Sequence, residues 1–322
     1  MKIPPVKNMD MRVIIIHTEI HRILQVFSNA HSLKTHYNNC NISGGVLQMK
    51  KFLCTFLLIA ALAGSAFAGS INVGLLTQLN MTQSEFQTYM DAALSSGLWT
   101  MFTTDNRDPA IFVFYDSLIA MQMALNKGEV DEIDLPEAVG EYMLNTNPEY
   151  TIAAIAVTKP VYFAFGFRKD DGAALRDKFN EALKAMKEDK TLAYLQMNYV
   201  ANPGAAEPEA VKFEKFDGAE TLKVAVTGDL PPIDYVAADG TPAGFNTAML
   251  AELGKRLKVN VELVQVESGA RAAALSSKRA DVVFWFQVRA GEETQPDIPD
   301  GVILSDSYYD WTKYLHIRKK AK

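Results

Sequence analysis

Residues 222–257 read LKVAVTGDLPPIDYVAADGTPAGFNTAMLAELGKRL, and this stretch decides the fold class. Leu222–Val226 is a short apolar run of the kind that forms a strand, and Asp239-Gly240 is a turn signal. From Asn246 to Leu257 the apolar residues fall at helical spacing, so a helix closes the stretch. Strand, loop and helix in that order open an α/β unit. The alternation continues with a strand over Asn260–Val266, a helix over Ala270–Leu275 and a strand over Ala280–Gln287. A long polar loop follows, and Lys313–Lys319 reads as a strand running into charge.

Working outward, the preceding half has the same character. Ile71–Leu76 reads as a strand, and Thr82-Gln83-Ser84-Glu85 has the form of a capping box ahead of helically spaced Phe86, Tyr89, Met90 and Ala93. Ile111–Tyr115 is a strand, Ser117–Asn126 a helix ended by Lys127-Gly128, and Pro136–Leu144 a helix opened by its proline. Thr151–Val157 and Val161–Arg168 are strands rich in β-branched and aromatic residues. Helices follow over Ala173–Lys187 and Thr191–Tyr199, and 201–220, with two prolines, two glycines and scattered charge, reads as a linker. No internal repeat is visible.

The chain has 322 residues, 22% charged and 48% hydrophobic, enough for one or two ordinary cores. Residues 1–68 hold seven basic and two acidic side chains of the 32 and 38 present, leaving 25 against 36, a net charge of −11, for the rest. Such a body repels phosphate backbones, which argues against a nucleic-acid partner and favours small solutes. Cys40 and Cys54 both precede residue 69, and beyond it His316 is the single histidine. Disulfides, thiol nucleophiles and zinc sites built from Cys and His are thereby excluded from the main body, and no cofactor is expected.

From Met49 the chain reads MKKFLCTFLLIAALAGSAFAGS, with a basic start, an apolar run from Phe52 to about Leu62, and Ala66-Phe67-Ala68. This is the pattern of a secretory signal peptide over 49–68, cleaved after Ala68, which places the mature protein in the periplasm or another extracytoplasmic space. Residues 1–48 read as an upstream extension without function, with Met49 the natural start; a natural extended leader is the alternative.

Several segments carry a resemblance. LKVAVTGDLPPIDYVAADGTPAGFNTAMLAELGKRL, ARAAALSSKRADVVFW and ILSDSYYDW occur in order between Leu222 and Trp311. Together they resemble the first lobe of the family 3 bacterial extracellular solute-binding proteins, the amino-acid-type receptors of ABC importers. YDSLIAMQMALNKGEVDEIDLPEAV resembles that family's second lobe, and YFAFGFRKDDGAALRDKFNEALKAMKEDKTLAYLQMNYV its return crossing and closing helices. The order is rotated: a second-type lobe over 69–165 leads, 166–200 closes, 201–220 links, and a first-type lobe over 221–322 ends in a hinge strand. The resemblance thus implies a two-lobed periplasmic-binding-protein-like (type II) α/β fold in circularly permuted order. Surface-located ends and a flexible connector make such a rearrangement tolerable. One crossing, near Phe163–Arg168, would stay continuous between lobes; the other, near Tyr314–Lys319, would be held by strand pairing.

For an amino-acid-like ligand the cleft should offer a guanidinium, an acidic group and aromatic walls. By resemblance Arg271, opening the ARAAAL helix, is the candidate for the ligand's carboxylate; a surface arginine paired with Glu267 is the alternative. Trp285 and Gln287 share one face of their strand, where Trp285 could stack on a ligand, although so long an apolar run also suits a doubly buried strand. Asp229 precedes Leu230-Pro231-Pro232 at a loop that touches ligand in the family, with Leu230 where an aromatic is usual. Asp134 or Glu137 could hold an ammonium or remain solvated charges; Pro136 stands where the family has its aspartate. Thr77 and Asn80 could give hydroxyl and amide contacts or cap a helix. The family's Thr-x-x-x-Arg after Asp281 is not reproduced, since Arg289 comes too early.

These features lead to a non-enzymatic receptor that delivers a small polar solute to the membrane subunits of an ABC importer, as a monomer or a domain-exchanged dimer. A dehydratase-like enzyme on the same scaffold and a ligand-sensing module are the other classes the fold admits.

Overall fold

The computed structural model describes residues 70–103, 109–201, 203–204 and 211–321. The readings of the upstream extension, the signal peptide, its cleavage site and part of the linker fall outside these residues. In chain order the elements are β1 (Ile71–Leu76), α1 (Gln83–Ser95), β2 (Trp99–Thr103), β3 (Ala110–Tyr115), α2 (Leu118–Lys127), β4 (Glu132–Pro136) and α3 (Glu137–Thr146). Then come β5 (Tyr150–Arg168), α4 (Ala173–Glu188), α5 (Thr191–Tyr199), β6 (Thr221–Val226), β7 (Asp229–Leu230), β8 (Asp234–Val236), β9 (Pro242–Ala243) and α6 (Phe245–Leu257). The chain continues through β10 (Asn260–Gln265), α7 (Arg271–Ser276), β11 (Val282–Arg289), β12 (Val302–Leu304) and β13 (Tyr309–Lys319).

Local chemistry accounts for the element ends. The capping box forms as its sequence requires: Thr82 Oγ1 accepts from Glu85 N at 3.3 Å, and Glu85 Oε2 accepts from Thr82 N at 2.8 Å. Helix α2 is capped by Ser117, whose Oγ accepts from Ala120 N, and stops at Gly128 with φ 76°. The Pro-Pro loop satisfies the start of α6, because Phe245 N and Asn246 N donate to the carbonyls of Pro232 and Ile233. Only glycine fits just before that helix: Gly244 has φ 103°, and a Cβ there would lie 2.7 Å from the Ile233 oxygen.

The sheet is ordered β10-β6-β11-β5-β13-β4-β1-β3, with β12 and β2 also pairing β5; β7, β8 and β9 form a small second sheet. Parallel pairs β10·β6, β11·β6, β1·β3 and β1·β4 flank an antiparallel centre of β5 and β13. These two strands run beside each other from the pair Tyr309–Phe163 to the pair Lys319–Tyr150. The second half of β5 pairs β11 and β12, while its first half pairs β2. Beyond Tyr314, β13 also pairs β4. The sheet therefore has two α/β halves joined through β5 and β13. We call the half with β1–β4 and α1–α3 the N-terminal lobe, and the half with β6–β12 and α4–α7 the C-terminal lobe.

Two predicted strands, 151–157 and 161–168, are a single strand, β5. Lys159-Pro160 suggests a break because proline cannot donate to a ladder. The chain accommodates it with an irregularity instead: four steps of β5, from Val157 to Val161, oppose two steps of β13, from Lys313 to Trp311. Pro160 thus falls where β5 passes from one lobe to the other. Its carbonyl still accepts from Ala290 N. The helix read from Pro136 starts one residue later, since Pro136 ends β4.

Candidate functional site at the lobe boundary

Loops of the two lobes meet through hydrogen bonds at the lobe boundary. Here Asp229 of β7 places its carboxylate at the N-terminus of α2, where Oδ2 accepts from Leu118 N at 2.7 Å. Burial raises the Asp229 carboxyl above its ordinary value, against the lowering effect of the Leu118 and Ile119 amides. Beside it Ser268 N donates to the Asp116 carbonyl, and Thr77 Oγ1 donates to Asp116 Oδ1 at 2.7 Å. Gly269 completes the fit, since a Cβ there would lie 2.5 Å from Asp116 Oδ1. A cleft of about 450 Å³ opens at this contact, lined by Ser117, Ile119, Thr227, Asp229, Gln265 and Glu267. Its polar groups come from both lobes.

A second space lies closer to the crossing strands. It is a void of about 20 Å³ bounded by Gln78, Asp134, Gln287, Arg289 and Tyr314 among others, enough for one water. Tyr314 donates from its hydroxyl to Gln287 Oε1 at 3.1 Å. Asp134 Oδ1 is 3.4 Å from His316 Nε2, whose other ring nitrogen lies 3.2 Å from Glu132 Oε2. A larger hollow of about 600 Å³, between Ile71, Asn126, Asp131 and Lys319, is lined by the N-terminal lobe alone.

Of the residues read from sequence, Asp229 lines the larger cleft, while Asp134 and Gln287 line the smaller void. Thr77 and Asn80 both sit at the boundary; Asn80 donates from N to Pro296 O at 2.7 Å and from Nδ2 to Gln295 O at 3.2 Å. Glu137 pairs with Lys313 Nζ at 2.7 Å and lines neither space.

Arg271 and Trp285 depart from expectation. Arg271 is 0% exposed: Nη1 and Nη2 grip Asp297 at 3.1 and 2.6 Å, Nη1 also donates to Trp285 O, and Nε donates to Ser268 O. Its guanidinium lies 3.7 Å from the Trp285 ring centroid. A bidentate carboxylate and a covering ring already occupy the fork that a ligand would use. Neither the ligand contact nor the Glu267 pair is what this conformation offers. Trp285 is buried between Arg271 and Phe163, as the doubly buried reading of β11 requires.

Sequence reading missed Ser117, Thr227, Gln265, Gln78 and Tyr314 as boundary residues. The available signal was positional, because Thr227 and Gln265 lie at the C-terminal ends of parallel strands, where α/β crevices form. Among the described residues no group of His, Cys, Asp and Glu is arranged to hold a metal ion. No helix among them is long and apolar enough to cross a membrane.

With this geometry in place, comparison with known proteins is informative for the C-terminal lobe. The family described as bacterial extracellular solute-binding proteins, family 3, matches residues 222–295. Over that stretch the C-terminal lobe is similar to family 3. The ABC transporter arginine-binding protein 1 of Escherichia coli (strain K12) is 38% identical over 82 residues, which cover 24% of this chain and 34% of that protein. The chain thus spans about a third of the curated relative that it matches. Among solved structures, the zinc-bound ligand-binding component of an ABC-type import system from Staphylococcus aureus aligns with TM-score 0.39 and 12% identity, covering 78% of this chain and 66% of that one. The periplasmic aliphatic sulphonate binding protein SsuA from Escherichia coli aligns with TM-score 0.33 and 10% identity, covering 78% and 65%.

Proposed function

We propose that this chain is an extracytoplasmic solute-binding protein of an ABC importer, taking a small, polar, amino-acid-like solute between its lobes. The observation that carries the reading is the family 3 match of the C-terminal lobe, the lobe that brings Asp229, Thr227 and Gln265 to the boundary. The arginine-binding relative supports an amino-acid-like solute. Paired crossing strands with a bulge at Pro160 supply a place for the dihedral changes that lobe opening needs.

The chain order supports a further part of the proposal, that the lobes are circularly permuted relative to the family. The lobe matching the family comes second in the sequence, β5 runs from the N-terminal into the C-terminal lobe, and β13 runs back. Residues 49–68 then act as the signal peptide, and the acidic remainder docks on the importer's membrane subunits.

A thermal-shift screen tests the function. The whole chain is expressed in a Gram-negative host and purified from the periplasmic fraction, where it should begin at Gly69. Amino acids, amines and small acids are added in turn. A solute at a hundred times its Kd stabilises by about 2.7 kcal/mol, a rise of several degrees for a body of this size. The expected result is such a rise with the solute recovered unchanged. No rise with any member, or turnover of the solute, overturns the reading. Light scattering on the same sample separates a monomer from a domain-exchanged dimer.

A further inference from the structure

Two buried arginines of the C-terminal lobe show contrasting surroundings. Arg271 has its guanidinium matched by two carbonyls and both oxygens of Asp297, the pattern of an arginine that serves the core. Arg289, at the end of β11, is 4% exposed, and its Nη1 has no hydrogen-bond partner. Its guanidinium carbon lies 4.7 Å from the Trp99 ring centroid and 5.4 Å from that of Tyr89. Both rings belong to the other lobe, Trp99 on β2 and Tyr89 on α1. Tyr89 is itself held by its hydroxyl, which donates to Glu292.

A second orphaned group lies beside Arg289, on the void that the arginine also lines. Gln78 is 6% exposed; its Nε2 donates to Leu76 O, but its Oε1 has no partner. Gln78 and Arg289 line one void, yet the buried donor and the buried acceptor do not satisfy each other. Such orphaned groups are costly and demand an explanation. Two rings and a carbonyl-type oxygen are the components of a cage for an organic cation.

We propose that Tyr89, Trp99 and Gln78 form a cation-binding subsite of the N-terminal lobe, that Arg289 of the C-terminal lobe is its internal occupant, and that a guanidinium or ammonium solute enters by displacing Arg289. The proposal rests on the receptor reading, because the cage becomes accessible when the lobes part and β11 withdraws the arginine. An external cation that reaches Gln78 Oε1 satisfies the acceptor that Arg289 leaves idle. The net charge of −11 outside residues 1–68 favours the approach of such a solute.

Agmatine is the diagnostic probe, since it carries a guanidinium and an amine but no carboxylate, so Arg289 can only compete with it. Calorimetric titration of agmatine into the wild type, Arg289→Ala and Arg289→Lys should show the alanine variant binding roughly tenfold tighter than the wild type, the scale of one desolvated cation–π contact. Arg289→Lys, which restores an internal cation, should bring affinity back toward the wild type. Gln78→Leu in the Arg289→Ala background keeps the volume and removes the acceptor, and should weaken binding; Trp99→Phe keeps a ring and should retain it. Unchanged or weaker agmatine binding in Arg289→Ala overturns the proposal. So does binding of glutarate, a dicarboxylate, that Arg289→Ala abolishes, because Arg289 is then an anion anchor. If agmatine binds neither protein the cage assignment falls, while the receptor reading falls only if the wider thermal-shift screen also shows no solute.

Discussion

Removing Asp297 should cost this protein more than almost any other single change, and the reason is the partner it leaves behind. Arg271 and Asp297 are 0% and 1% exposed, joined by two contacts at 2.6 and 3.1 Å, and Asp297 Oδ2 also accepts from Gln287 N at 2.8 Å. Asp297→Leu strands a guanidinium in the core, for which about 3–5 kcal/mol of lost stability is the ordinary scale. The domain total is about 5–15 kcal/mol, so a large fraction disappears. The double variant Arg271→Met/Asp297→Leu removes both charges and should recover part of the loss. Recovery stays incomplete, because Ser268 O, Trp285 O and Gln287 N each lose a partner, at about 1–3 kcal/mol per group left buried and unpaired. Urea unfolding followed by circular dichroism, with the slope checked for constancy, measures all three proteins. A loss below about 1 kcal/mol in Asp297→Leu refutes the reasoning. An Arg271→Met protein of unchanged stability that no longer binds solute restores Arg271 to the ligand-contact role expected from sequence.

Asp234 gives a pH test. Burial pushes its carboxyl up to about 6, although Thr227 Oγ1 and Gly228 N donate to it. An unfolded aspartate titrates near 3.8, so the native state binds the extra proton between those values, and stability must fall as pH rises from about 4 to about 6. The difference is about 3 kcal/mol. Asp234→Asn should flatten that slope in urea titrations at pH 4 and 7.5; a slope equal to the wild type's refutes the assignment. Gly166→Ala on β5 would put a Cβ 2.0 Å from Phe286 Cε2 in a fully buried contact, so a destabilisation of about 1–3 kcal/mol is expected by urea unfolding. Phe286→Leu in the same background should relieve much of it, and a simple sum of the two single losses refutes the steric account.

Much of the fold was legible because its signals are local. Periodicity placed β6 and α6, and the Thr82–Glu85 box fixed the start of α1 to the residue. Strand β2 went unread because WTMFT is short, and its strand identity comes from pairing with β5 between Trp99–Thr158 and Thr103–Ala154, some 50 residues along the chain. The break between the strands read over 151–157 and 161–168 is absent for a related reason: the missing donor of Pro160 is tolerated at a bulge that exists only because β13 lies alongside. The site was less legible. The sequence offers Arg271 as a contact for a ligand's carboxylate or as a surface arginine paired with Glu267, but its orientation depends on Asp297, 26 residues away in a polar loop without periodicity. Arg289 was set aside for standing too early in a motif, whereas its environment is set by Trp99 and Tyr89 of the other lobe.

Under the receptor reading, the contacts across the boundary are of two kinds. Leu118 N to Asp229, Ser268 N to Asp116 O and the two bonds from Asn80 join loop to loop across the lobes, largely among partly exposed groups. Water replaces each on opening, so each neutral bond is worth about 0.5–1.5 kcal/mol net and the bond to the Asp229 carboxylate about 1.5–3 kcal/mol. The β5–β13 ladder differs in kind, since it runs through both lobes and buries Phe163, Trp311, Tyr314 and Ile317. Opening breaks these loop contacts together with the Tyr89–Glu292 bond and the ring contacts of Arg289, while the ladder keeps the lobes in register. The Pro160 bulge, where four steps of one strand face two of the other, is the point at which that ladder already departs from regular pairing. A hinge there disturbs the fewest backbone bonds, so hydrogen exchange should be faster at Thr158 and Lys159 than at Phe163 and Phe165; equal protection across the strand would place the pivot elsewhere.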